Sequence, residues 1–122
     1  MGYRSDIAIR CEEKAFQEFK TAWEKVDFKP STILSTEDDG NYTYILEWNW
    51  VKWYQDFEEV EKITEVCRTL DGKNEDGFAY KFIRIGEDNA TEEFGNEVGY
   101  DVFSDFYVVV SVNQPKNTRR FE

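Results

Sequence analysis

From Tyr42 to Trp50 the chain alternates without a slip. Tyr42, Tyr44, Leu46, Trp48 and Trp50 fall on one side, and Thr43, Ile45, Glu47 and Asn49 on the other. A period of two held over nine residues excludes a helix and calls for a strand with one heavily aromatic face. Such a face has to be covered, and the flanking segments supply the cover. Ala15, Phe16, Phe19, Ala22, Trp23 and Val26 recur at helical spacing between Glu12 and Val26. Phe57, Val60, Ile63, Val66, Cys67 and Leu70 do the same further on. Each stripe marks a helix that is apolar along one side only.

The remaining segments read as strands and turns. Tyr3 to Arg10 alternates, with Tyr3, Ser5, Ile7 and Ile9 on one side. Thr32 to Thr36 is a short strand, joined through Glu37-Asp38-Asp39-Gly40-Asn41 to the aromatic strand as a hairpin. Glu12 and Glu13 suit the first turn of the first helix, and Pro30 lies beyond its end. Asp56 with Glu59 has the spacing of a capping box for the second helix, which stops at Asp71-Gly72. Phe78 to Ile85 is a further strand, Thr91 to Phe94 fits a short helical turn, and Phe103 to Val112 alternates as a last strand. The order is β-α-β-β-α-β plus an extra C-terminal strand. The expected fold is α+β and ferredoxin-like: two helices packed on one face of a mainly antiparallel sheet, the other face partly wet. Residues 1–113 form one domain in this reading, and residues 114–122 a tail.

Composition narrows the chemistry. With 26 acidic and 15 basic side chains the net charge is -11, and there is no histidine. A Ser-His-Asp or Cys-His nucleophile pair is therefore excluded. So is zinc held by histidine, and two cysteines do not complete a tetrahedral site. No glycine-rich phosphate loop is present. The loop from Asp71 to Gly77 superficially matches a calcium loop, but Lys73 occupies a ligand position. The expectation is a protein without enzymatic activity, metal or cofactor. Cys11 and Cys67, read as lying on separate helical segments, are expected to be free thiols. No apolar run has the length of a membrane span or signal peptide, so a soluble chain without membrane contact is expected.

Seven acidic residues lie between Ile85 and Pro115 with no Lys or Arg among them: Glu87, Asp88, Glu92, Glu93, Glu97, Asp101 and Asp105. Such a segment repels phosphate backbones and attracts basic proteins. It argues against direct nucleic-acid binding and for a basic protein partner. Trp53 and Tyr54, at the junction of the aromatic strand and the second helix, sit where a ring can stay half exposed and serve as a contact. The candidate partner-binding residues are Glu87, Asp88, Glu92, Glu93, Glu97, Asp101, Trp53 and Tyr54.

Three stretches resemble a group of small acidic proteins found in phages and prophages. They are Met1-Gly2-Tyr3-Arg4-Ser5-Asp6, Lys52 through Val60, and Phe82-Ile83-Arg84-Ile85-Gly86-Glu87-Asp88. The resemblance implies a phage or prophage context and the cytoplasm of a bacterial host, and brings no catalytic or binding residues with it. Small acidic domains in that setting often bind a host protein, inhibitors of restriction or CRISPR nucleases among them, and that parallel is independent of fold. An immunity protein neutralising a cognate toxin, or a virion assembly protein, would share the same features.

Overall fold

The computed structural model describes residues 4–73 and 75–96. Seven elements follow one another: β1 (Ser5–Glu12), α1 (Glu13–Val26), β2 (Thr32–Asp38), β3 (Asn41–Val51), α2 (Glu58–Asp71), β4 (Tyr80–Gly86) and β5 (Thr91–Gly95). The strands form one antiparallel sheet in the order β2-β3-β1-β4-β5. This is the expected α+β, ferredoxin-like arrangement with one strand added at the β4 edge. The added strand is Thr91–Gly95, where a helical turn was expected. Pairing decides it. The run Thr91-Glu92-Glu93-Phe94 is too short to be stable as a helix alone, and the β4 edge offers it a ladder and a ring, Phe82, for Phe94 to stack on at 4.4 Å. The expected strand Phe103 to Val112 and the tail 114–122 lie outside the described residues.

Both helices pack on the same face of the sheet. Their stripes meet Ile7, Ile9 and Cys11 of β1, Leu46 and Trp48 of β3, and Tyr80 and Phe82 of β4 in one continuous core. On the opposite face Ala8, Ala79 and Ile83 are buried in a second, smaller cluster, with Ile45 and Ile85 half-buried beside them. The β2–β3 hairpin turns on Asp39 and Gly40, both at positive φ, which matches the primed turn that strand twist favours. The capping box at Asp56 does not form. Phe57 is the cap residue of α2, and no side chain caps the helix. Cys11 lies on β1 and not on a helix.

Trp48 and Trp50 do not share a face. Ser5 pairs with Val51 and Ile7 with Trp48, so Asp6 faces two residues of β3, a bulge. Trp48 is 1% exposed and Trp50 is 53% exposed. Trp50 takes φ +56°, a left-handed conformation that favours glycine. Its N–H donates to Asp6 Oδ1 at 2.7 Å, and its carbonyl accepts from Arg4 Nη1 at 3.0 Å. Two charged side chains thus hold a strained backbone. A Trp50→Gly chain is expected to be more stable than Trp50→Ala by about 1 kcal/mol, the reverse of the usual order in a strand. Urea midpoints of the two variants measure this, and an alanine variant at least as stable would contradict the backbone conformation.

Both cysteines are free and buried. Burial pushes the Cys11 thiol well above its ordinary range, with Cys67 and Glu12 adding to the effect. Burial does the same for Cys67, assisted by the nearby Asp71 charge. Tyr80 is raised as well, again first by burial; its hydroxyl donates to Asp71 Oδ1 at 2.6 Å and to the Cys67 carbonyl at 3.3 Å. Each group is held neutral in the fold. Their contribution to stability is complete below the unfolded thiol and phenol values, about 8.5 and 10, and is lost as pH rises toward the folded ones. The native chain at pH 8 is expected to leave both thiols unlabelled by Ellman's reagent, with full reaction in urea. Stability should fall above about pH 9.

Candidate interaction surface

Two carboxylates of the acidic segment, Glu92 and Glu93, meet cations of β4. β5 pairs with β4 so that Glu92 lies opposite Arg84 and Glu93 lies diagonal to Lys81. Arg84 Nε meets Glu92 Oε1 at 3.0 Å, and Lys81 Nζ meets Glu93 Oε1 at 3.3 Å. Lys81 is only 4% exposed, so its charge is held inside the sheet surface with a carboxylate beside it. These cations are distant from the acids in sequence and adjacent across the ladder. Glu92 and Glu93 are therefore largely compensated within the chain.

Glu87 and Asp88 form the tip of the β4–β5 hairpin and are exposed. Both also shape that tip. Glu87 Oε1 accepts the Arg4 N–H at 2.7 Å, while the Glu87 N–H donates to the Arg4 carbonyl at 2.9 Å. Asp88 Oδ1 accepts the Ala90 N–H at 3.0 Å, and Asn89 takes positive φ. Trp53 is not a surface ring. It is 5% exposed and packs among Phe28, Trp48 and Phe82 in the core. Tyr54 is half-buried and meets Phe57 edge-on at 5.1 Å. Glu97 and Asp101 lie outside the described residues. Of the described candidates, Glu87, Asp88, Glu92 and Glu93 share the β4–β5 hairpin, whereas Trp53 is inside the core.

A second group of carboxylates lines a cleft. The cleft, of about 730 Å³, opens where the start of α1, the start of β3 and the connection before β4 converge. Glu12, Glu13 and Asp76 contribute carboxylates to it, Tyr42 a ring, and Asn41 and Gln17 amides. Glu12 Oε1 is occupied by the Gly77 N–H at 2.8 Å and the Ala79 N–H at 3.2 Å, so this carboxylate builds the wall. The Ala15 N–H donates to the Gly77 carbonyl, which closes the same corner. Gly77 is needed there: its φ is +94°, and a Cβ would lie 2.9 Å from Lys14 Cδ.

Glu13 and Asp76 are exposed, and neither is a partner of Arg84 or Lys81. The cation of the cleft, Lys14, has its ammonium 5.5 Å above the Phe78 ring, where Lys73 also sits at 4.6 Å. Lys14 thus has a ring outside the cleft lining as a partner for its ammonium. Tyr42 is 41% exposed, and behind it Tyr44 stacks on Phe16 at 3.9 Å with rings 10° from parallel. Burial, then the Glu13 charge, holds the Tyr44 hydroxyl above its ordinary range. Residues 12, 42 and 76 are too far apart in sequence for any spacing rule to join them, and only the doubled acid Glu12-Glu13 was visible beforehand.

Among the described residues no group of three or more Asp, Glu, Cys or His side chains is placed to hold a metal ion. No helix among them is long and apolar enough to cross a membrane. No protein-family description matches the chain, and neither a curated protein nor a solved structure matches it.

Proposed function

We propose that this chain is a non-enzymatic binding protein that holds a basic segment of another protein against its acidic surface. The observation that carries the proposal is the cleft: the exposed Glu13 and Asp76 line it, while Lys14, the one cation lining it among the described residues, has its ammonium over Phe78. Carboxylates so displayed favour encounter with Lys- and Arg-rich surfaces and disfavour nucleic acid. Inhibition of the partner, a phage or prophage origin and action in the bacterial cytoplasm belong to the same proposal. They rest on the resemblance described above and on net charge.

Binding to such a partner is expected to weaken at least tenfold between about 0.05 and 0.5 M salt, because exposed charges are screened over that range. Glu13→Lys combined with Asp76→Lys should weaken it by about fivefold or more at low salt, mainly through slower association. The same pair should cost the fold no more than about 1 kcal/mol, since Glu13 sits in the first turn of α1 and Asp76 in a loop. Surface plasmon resonance against captured basic proteins, beside urea unfolding of the variant, separates the two effects. An affinity that is indifferent to salt and to both reversals would discard the proposal.

A further inference from the structure

We infer that the cleft receives an arginine side chain of the basic partner, its guanidinium laid on the Tyr42 ring and bridged by the Glu13 and Asp76 carboxylates. This rests on the basic-partner reading above and gives it a chemical preference. Three features point the same way. The first is the platform. Tyr42 lies 6.5 Å from Tyr44 and 29° from parallel, and the half-buried Tyr44 in turn stacks on the buried Phe16 of α1, so the exposed ring has two further rings behind it. An aromatic ring fixed from behind offers its other face at little cost in side-chain entropy.

The second is charge. Glu13 and Asp76 reach the same cleft from different elements, and Lys14, the only cation lining it among the described residues, has its ammonium 5.5 Å from the Phe78 ring centre. The lining holds three carboxylates, Glu12, Glu13 and Asp76, against the one lysine, which leaves a net negative charge for a guest cation. The third is shape and hydration. A guanidinium is planar, weakly hydrated and carries five donors in one plane, so it stacks on a ring and bridges two carboxylates together. An ammonium is compact and strongly hydrated and does only one of these well. Asn41 and Gln17 add amide oxygens for the remaining donors.

The test uses two capped pentapeptides, Gly-Gly-Arg-Gly-Gly and Gly-Gly-Lys-Gly-Gly, titrated into the isotope-labelled full chain and followed by NMR. The arginine peptide is expected to shift the Tyr42 ring and the amides of Glu13, Thr43 and Gly77, and to bind about threefold or more tighter than the lysine peptide. Tyr42→Ala should remove that difference and Tyr42→Phe should keep it, which separates ring stacking from a folding defect. Glu13→Gln with Asp76→Asn should weaken both peptides.

Equal affinity for the two peptides, with Tyr42→Ala silent, would overturn the inference and leave a purely electrostatic cleft. Shifts confined to residues outside the cleft would overturn it too, as would shifts produced equally by a neutral sugar such as maltotriose. If a basic protein binds with the expected salt dependence while neither peptide perturbs the cleft, the inference fails and the wider proposal stands. If no basic protein binds at all, the wider proposal fails, whatever the peptides do.

Discussion

Gly95→Ala is expected to lose about 3 kcal/mol of stability and about 10 °C in Tm. Gly95 closes β5, opposite Lys81 on β4. A Cβ there would lie 2.5 Å from the Tyr80 carbonyl oxygen and 3.2 Å from the Lys81 Cα. These are backbone atoms of a strand paired on both sides, so they cannot move aside as a flexible side chain would. The end of β5 has to lift instead. With it would go the stack of Phe94 on Phe82 and the grip of Asn96, a buried side chain. Asn96 Nδ2 donates to the Phe78 carbonyl at 2.7 Å and to the Leu70 carbonyl at 3.4 Å. Leaving buried carbonyls unmet costs about 1–3 kcal/mol each when no water replaces the donor. Equilibrium unfolding in urea decides the matter. A loss below about 1 kcal/mol would mean that β5 does not approach β4 this closely.

The second large effect belongs to Trp48. Its indole is fully buried and meets three other rings, Trp23 at 6.1 Å, Phe28 at 5.7 Å and Trp53 at 6.3 Å. Its Nε1–H donates to the Phe28 carbonyl at 2.9 Å, which ties the chain after α1 to the middle of β3. Trp48→Ala removes the hub of this cluster and orphans that carbonyl, at a cost of about 4–5 kcal/mol. Against a total of about 5–15 kcal/mol for a domain, that brings the chain close to its unfolding threshold. Trp48→Phe keeps a ring and loses only the N–H and some volume, and should cost about 1–2 kcal/mol. If the two variants unfold at the same denaturant concentration, Trp48 is not the centre of this packing.

The periodic parts of the chain were readable because each follows one rule. Phe16, Phe19 and Trp23 recur at helical spacing and are buried together; Ile7, Ile9, Leu46 and Phe82 alternate and are buried under both helices. Trp50 broke its rule because one extra residue in β3 reverses the side to which a strand residue points. That shift depends on Asp6 and Arg4, more than forty residues away. Trp53 was misplaced for a related reason. A ring at a strand end is free to turn inward wherever the core has room, and no local pattern reports that room.

Thr91–Gly95 carries too few residues to declare its own state, and the ring and charges across the ladder settle it. The same pairing compensates Glu92 and Glu93, which look unbalanced when only sequence neighbours are counted. Composition and periodicity determined that this chain is an acidic α+β domain without histidine chemistry, because both are sums over local residues. Which carboxylates face solvent, which meet a lysine or arginine, and where a ring stands beside an open acidic cleft were decided only when distant strands came into register. Coulomb and stacking energies depend on distance in space, and separation along the chain does not report that distance.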